Sequence, residues 1–461
     1  MQNEMTEFNL KIEEMVQRLL EEKKYSTIKD VLSTMAAGDL AALLERVDEK
    51  QAPLLFRLIS KDKAADVFVE MDSEFQEFLI RGFSDSELKA IVNDLYAADA
   101  ADLVDEMPAI VVDRILKQIS PEMRSEINQL LQYPENSAGS IMSTEYVSIR
   151  LGLTVGEAIS QIRKSGFDNK SFYTCYVTQN KKLLGRLSVK DLLLAKDDSI
   201  KIDGLMKENV ITVNTHEDKE QVAKLLSKYN FYALPVVDGE GRMVGIISFD
   251  DALEVMEDEA TEDIEIMGGM SPSEKTYLRS TPLDLFRHRI VWLMLLMVSA
   301  TFTGMIITGF ENALAVQVAL AAFIPMLMDT GGNSGSQSSV TIIRALSLEE
   351  VSFRDLPKVL WKEMQTALLC GATLSALCFA KLMLVDRLLL KNEGVTLLLA
   401  LVVCATMAAT VVVAKVIGCA LPMLAKKLRL DPAVMASPFI TTIVDAASLL
   451  LYFAIARALL F

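Results

Sequence analysis

The segment Pro325-Met326-Leu327-Met328-Asp329-Thr330-Gly331-Gly332-Asn333-Ser334-Gly335-Ser336-Gln337 follows an almost uncharged run, Ala313 to Leu327. It then sets a carboxylate, three glycines and two amides where lipid-facing chain would be apolar. A carboxylate and glycine-loosened backbone are costly at membrane depth unless they face protein or a water-filled path. The stretch therefore reads as part of an ion pathway, with Asp329, Asn333 and Gln337 as candidate lining residues.

Composition divides the chain around it. Of 461 residues, 51% are hydrophobic and the mean hydropathy is +0.30, which leans towards a membrane protein. Residues 1–290 carry 52 acidic and 34 basic side chains, net −18, whereas 291–461 carry 10 and 12, net +2. An acidic half of this kind argues against nucleic acid as a ligand and for solvated surface or divalent cations. Without a CxxC pair and with only His216 and His288, a zinc site is not expected. The five cysteines read as small buried hydrophobes in a reducing compartment. The polar, acidic N-terminus lacks a signal peptide's basic start and apolar core, which predicts cytosolic residues 1–280.

Five apolar stretches are long enough to span a bilayer: about 289–309, 314–339, 362–385, 394–418 and 434–459. Arg344, Arg354, Lys358 and Lys362 follow the second, and Lys426, Lys427 and Arg429 follow the fourth, so basic residues concentrate on one side. That asymmetry predicts a cytoplasmic N-terminus and, with five spans, an extracytoplasmic C-terminus. In the last stretch, Ser437-Pro438-Phe439-Ile440-Thr441-Thr442-Ile443-Val444-Asp445, the residues Ser437, Thr441 and Asp445 recur every four positions and share a helical face. With a span starting near 434, Asp445 lies about 16 Å deep. The stripe is either a pore lining or a buried hydrogen-bonded helix contact; a carboxylate favours the lining. Lys381 and Lys415 lie near span ends, where snorkelling is expected. Oxygen donors without thiolate or imidazole select hard cations, and sparse carboxylates suit hydrated Mg2+, leaving Mn2+ and Co2+ open.

Upstream, residues 28–132 show helical periodicity and a degenerate repeat. Aligning Asp39-Leu40-Ala41-Ala42-Leu43 with Lys63-Ala64-Ala65-Asp66-Val67 and Asp99-Ala100-Ala101-Asp102-Leu103 brings Val47, Met71 and Met107 into register. This predicts a superhelical stack of short helices acting as scaffold, with Asp99 and Asp102 as candidate cation-facing acids. The breaker cluster Tyr133 to Gly139 ends it.

Two segments of strand, helix, strand, strand and helix follow, matched by Gly185-x-x-Ser188-x-x-Asp191 and Gly245-x-x-Ser248-x-x-Asp251. This duplication resembles a CBS-domain pair. The resemblance implies an adenine-nucleotide site using Gly185, Ser188, Asp191, Gly245, Ser248 and Asp251. Simple helix capping by the two serines is the equal alternative.

From Asp250 to Glu265 nine carboxylates occur without a basic residue: Asp250, Asp251, Glu254, Glu257, Asp258, Glu259, Glu262, Asp263 and Glu265. At helical spacing such charges repel unless cations neutralise them. The alternative is a solvated charged face.

This order resembles the MgtE-type magnesium channel family over nearly the whole chain. The motifs carrying the resemblance are Thr330-Gly331-Gly332-Asn333-x-Gly335-x-Gln337, Ile342-Ile343-Arg344-Ala345-Leu346, Glu259-Ala260-Thr261-Glu262-Asp263-Ile264, and Ser437-Pro438 followed by Asp445. The expected architecture is a helical N-domain (1–135), two CBS domains (136–200 and 201–258), an acidic connecting helix (259–283) and a five-helix transmembrane domain (284–461). The resemblance implies a plasma-membrane homodimer with a pore between protomers, and Asp445 as the principal carboxylate for hydrated Mg2+. It implies cytosolic Mg2+ sensing by Asp251, Glu254, Glu259, Glu262 and Asp263, with Asp218 and Glu220 as further candidates, and ATP as a candidate modulator. Asp329 and Ser437 depart from residues found in some members. The rival readings are a secondary Co2+ or Mn2+ transporter coupled to H+ or Na+, and a membrane-tethered nucleotide sensor without transport. No nucleophile–base constellation points to an enzyme.

Overall fold

In the computed structural model, residues 2–165, 171–273, 277, 280–392 and 394–460 are described. The chain divides into two compact units, Met1–Glu257 and Asp258–Phe461.

The first unit begins with short helices: α1 (Gln2–Glu21), α2 (Tyr25–Thr34), α3 (Ala37–Arg46), α4 (Ala52–Phe56), α5 (Lys61–Val69), α6 (Ser73–Gly82), α7 (Asp85–Val92), α8 (Ala97–Glu106), α9 (Ala109–Leu116) and α10 (Pro121–Leu130). Helix α3 packs on α5, α5 on α7, α7 on α9, and α8 on α10, the nearest-neighbour stacking of a repeat array. The three positions in register, Val47, Met71 and Met107, are all buried, and each lies just beyond a helix end. Alanines 97, 98, 100 and 101 are buried on α8, so small side chains do permit close helix approach there. Helix α7 starts at a capping box, in which Ser84 accepts from the Glu87 amide and Glu87 accepts from Ser84.

Two α/β modules with one topology follow. The first comprises β1 (Tyr146–Arg150), α11 (Val155–Ser165), β2 (Ser171–Gln179), β3 (Lys182–Ser188) and α12 (Val189–Leu193). The second comprises β4 (Val213–Asn214), α13 (Lys219–Tyr229), β5 (Ala233–Val237), β6 (Met243–Ser248) and α14 (Phe249–Met267). In each sheet the first two strands pair in parallel and the last two antiparallel, confirming the duplication. Tyr176, Ala233, Met243 and Ile246 form a buried cluster across the two modules. A Cβ on Gly185 would approach the Lys207 carbonyl to 3.0 Å, and one on Gly245 the Ser143 carbonyl to 2.7 Å. In both modules a crossing chain therefore accounts for the motif glycine.

The acidic helix α14 is continuous with the last helix of the second module and ends at Met267, well before residue 283. Its stop is chemical: Gly269 adopts φ +71°, and the Met270 amide bonds back to the Glu265 carbonyl.

The second unit is helical: α15 (Pro282–Gly309), a short α16 (Glu311–Val316), α17 (Ile324–Ser347), α18 (Leu356–Ala380) with a π-helical extension to Leu389, α19 (Leu397–Lys427) and α20 (Ser437–Leu460). Among the described residues, four helical stretches are long and apolar enough to cross a membrane: Pro282–Gly309, Phe353–Leu389, Leu397–Lys427 and Pro432–Leu460. Helix α17 is long enough at 24 residues but too polar to join them. Its start also differs from the stretch expected at 314–339. Residues 311–323 form a short helix and a 3-10 turn, and Pro325 occupies the first turn of α17.

Helices α17, α18, α19 and α20 pack together, with α15 against α20. The glycines of α17 are what allow this. A Cβ on Gly331 would meet Thr410 Cγ2 at 2.7 Å and Ser448 Oγ at 2.8 Å. At Gly335 and Gly418 the backbones of α17 and α19 nearly touch: a Cβ on Gly418 would lie 2.3 Å from the Gly335 carbonyl oxygen. A helix crossing this close admits only glycine.

Candidate ion pathway and regulatory acids

Helix α17 is buried on one face and open on the other. Gly331, Gly332, Ser334, Gly335, Ser338 and Ser339 are buried, whereas Asp329, Asn333, Gln337 and Thr341 are exposed in the single chain. The exposed four recur every four residues, so they form one polar stripe. Opposite Gly332 stand Thr441 and Asp445 of α20, with Asp445 Oδ1 3.8 Å from where a Gly332 Cβ would be. Asp445 is half-buried, and Asp329 is close enough to act on it electrostatically. The contact across Gly332 itself is made by Asp445 and Thr441. Helix α20 begins at Ser437, so Asp445 is about 12 Å along it. The Thr441 and Thr442 hydroxyls both donate to the Pro438 carbonyl, leaving their oxygens able to accept. The side chain of Ser437 lies outside the described residues.

Carboxylate, amide and hydroxyl oxygens at this site suit a hard cation that keeps part of its water. Among the described residues no three carboxylates, thiols or imidazoles converge on one metal-sized point.

One of the two lysines expected to snorkel departs from that expectation. Lys415 does not snorkel: it is 5% exposed, with its ammonium 3.2 Å from Ser338 Oγ and 3.9 Å from Glu363 Oε2. Lys381 pairs with Asp386 at 2.7 Å within the π-helical extension. Both were legible as charges, but their partners come from other turns or helices.

The candidate regulatory acids are dispersed over the helical repeat, the second α/β module and α14. Asp99 and Asp102 lie three apart on α8, whose first amide is capped by Glu145 at 2.9 Å. Asp218 caps α13 by accepting from the Gln221 amide, and Glu220 is ion-paired with Lys224 on the same helix. On α14, Asp250, Glu254, Glu257, Asp258 and Glu262 are exposed, while Asp251, Glu259, Asp263 and Glu265 are partly buried. The last turn of α14 has no basic residue. Acids towards a helix C-terminus oppose its dipole as well as one another, so the helix gains from any bound cation. Beyond it, Gly269 is buried against the start of α20: a Cβ there would lie 2.9 Å from Pro438 Cγ.

The nucleotide candidates are occupied as caps. Ser188 and Asp191 form a capping box, as do Ser248 and Asp251, whose carboxylate accepts from the Ser248 amide at 2.8 Å and hydroxyl at 2.7 Å. The Ser188 hydroxyl and amide hold the Asp191 carboxyl below its ordinary range. One pair escaped the sequence reading. Tyr173 precedes Thr174, which pairs with Ser188, and Tyr232 precedes Ala233, which pairs with Ser248. This symmetry sets two exposed rings 6.0 Å apart beside the motif serines. The Phe-Tyr dipeptide repeated in both modules was the available signal.

Comparison with known proteins defines the class first. The divalent cation transporter family MgtE matches residues 324–455, the MgtE intracellular N domain residues 35–136, and the CBS domain residues 138–198 and 202–258. The chain is a multi-pass membrane protein of that transporter class. The magnesium transporter MgtE of Thermus thermophilus is 36% identical over 452 residues, covering 96% of this chain and 98% of that protein. The magnesium transporter MgtE of Bacillus subtilis is 31% identical, covering 98% of each. The chain belongs to the MgtE magnesium-transporter family. Among solved structures, the cytosolic domain of the Mg2+ channel MgtE in complex with ATP is similar, with 33% identity and a TM-score of 0.50, over 52% of this chain and 98% of that one. The soluble part of a magnesium transporter is similar as well, at 27% identity and a TM-score of 0.51, over 55% of this chain and 99% of that one.

Proposed function

We propose that this protein is a Mg2+ channel of the plasma membrane that admits the ion to the cytosol and closes when cytosolic Mg2+ binds its acidic surfaces. The observation that carries the reading is that Asp445 and Thr441 of α20 stand against Gly332 of α17, the helix whose exposed stripe carries Asp329, Asn333 and Gln337. The polar stripe of Asp329, Asn333 and Gln337 is open in one chain, which supports a homodimer with the pathway between protomers. In this reading five helices span the bilayer, α17 being tolerated because its polar face lines water. The N-terminus is cytoplasmic and the C-terminus extracytoplasmic.

Regulation rests on the carboxylates of α14 with Asp99, Asp102, Asp218 and Glu220. Bound Mg2+ relieves their repulsion and fixes α14; its loss lets repulsion move the helix. The Gly269–Pro438 contact passes that motion to the start of α20. ATP is proposed as a modulator, its base against the exposed rings of Tyr173 and Tyr232. That assignment is supported by the paired rings and by the ATP complex of the similar cytosolic domain.

Complementation of a magnesium-uptake-deficient strain tests the reading. Wild type restores growth at low Mg2+, and Asp445→Ala does not. Uptake intact in Asp445→Ala instead supports a tethered nucleotide sensor. Flux that stops when H+ and Na+ gradients are collapsed in vesicles identifies a coupled transporter.

A further inference from the structure

The strongest feature outside the pathway is a buried polar triad joining three helices. Ser338 of α17 donates to Glu363 Oε2 of α18 at 2.6 Å and accepts from the Lys415 ammonium of α19 at 3.2 Å. The side chains of Lys415 and Glu363 are 7% and 16% exposed, and their charges stand 3.9 Å apart. Ser338 itself is 2% exposed. A charge buried this deeply in an apolar bundle is retained only when paired and hydrogen-bonded. Packing alone does not require it, since the contact between α17 and α19 is already made by Gly335 and Gly418.

The glycines set how closely α17 approaches α19 and α20, and the Ser339 hydroxyl ties it to the Met435 carbonyl at 2.7 Å. The triad adds the polar link to α18, and a turn of α17 about its axis would carry Asp329, Asn333 and Gln337 with it. Ser338 follows Gln337 directly, so its direction fixes that of the polar stripe about 100° round the helix. We propose that Lys415, Ser338 and Glu363 are positioning residues that set the rotation of α17, and thereby the ion selectivity of the pathway. The inference rests on the channel reading for its consequence, but its geometric claim does not.

Two measurements on the full-length protein in proteoliposomes separate these. The first is the ratio of Mg2+ to Na+ flux. Ser338→Ala removes only the bridging hydroxyl, and Lys415→Met combined with Glu363→Leu removes both charges without leaving either unpaired. Both variants are expected to lower the ratio by about tenfold, the size of coupling expected for contacting groups. The double variant is expected to fold with a melting temperature close to wild type, so a lowered flux ratio in it is not a consequence of unfolding. The second reads geometry without transport: alkylation of Asn333→Cys by a water-soluble maleimide, followed by peptide mass. Adding Ser338→Ala is expected to change its rate by about tenfold. An unchanged alkylation rate overturns the inference, whether or not the protein conducts Mg2+. A changed rate with no Mg2+ flux in wild type refutes the channel reading alone. Altered labelling with an unaltered flux ratio overturns the link to selectivity. If the double variant does not fold, Ser338→Ala decides both measurements by itself.

Discussion

A Cβ built on Gly332 of α17 would lie 3.8 Å from Oδ1 of Asp445 on α20 and 3.1 Å from Cγ2 of Thr441. The glycine therefore gives the carboxylate its open side. Gly332→Ala is expected to leave the fold intact, because one threonine methyl must give by a few tenths of an ångström, while crowding the ion's approach. Gly331→Ala instead drives a methyl to 2.7 Å from Thr410 and 2.8 Å from Ser448. Overpacking of that kind costs about 1–3 kcal/mol. Melting temperature and Mg2+ flux of the two variants should separate: flux lost in the first, stability lost in the second. Equal stability loss in both contradicts the assignment.

Asp329 is exposed on the stripe yet acts on Asp445 electrostatically, so it serves as an attracting charge. Asp329→Asn is expected to raise half-saturating Mg2+ by about three- to tenfold at low ionic strength, with a smaller effect in high salt. A salt-independent change points to direct coordination instead.

The acidic helix sets the third expectation. Replacing Glu254, Asp258 and Glu262 with amides removes both the repulsion and the cation's ligands. The ratio of flux at low and high cytosolic Mg2+ should fall towards one. A retained ratio assigns sensing elsewhere.

Acid should weaken the helical N-terminal region through Glu87. The Arg57 guanidinium, 2.7 Å away, and the Ser84 amide and hydroxyl hold its carboxyl down to about 2. A carboxyl depressed in the folded state contributes stability above its unfolded value of about 4.5, and that contribution is lost as pH falls towards 2. Pepsin cleavage around α7 should rise across this window in wild type. In Glu87→Gln it should be higher at pH 4.5 and change less between the two pH values.

The chain's organisation was legible because each unit has its own period. The alanine-rich repeat of α8, the spacing of Ser188 and Ser248, and the apolar lengths of α15, α18, α19 and α20 each specify local geometry. Asp329 and Asp445 stood out because a carboxylate in such surroundings needs a reason. That Asp445 stands against Gly332 did not follow from spacing; it depends on a close helix packing that one helix alone does not reveal. Lys415 looked like a snorkelling lysine, since nothing in its own helix reveals Glu363 and Ser338 from two others. Helix α17 was placed too early because the apolar run that precedes it folds as a 3-10 turn.

Asp251 occupies two roles at once: it closes the last strand's exit with Ser248 and it begins the acidic face of α14. A ligand that draws this carboxylate away breaks its bonds to the Ser248 amide and hydroxyl, the reciprocal half of the capping box, at a cost of about 1 kcal/mol. The first turn of α14 then frays, and whatever orders that turn again must weaken the ligand's hold by the same factor. If the α/β modules hold nucleotide through Asp251, their occupancy and the stiffness of the acidic helix become two readings of a single equilibrium.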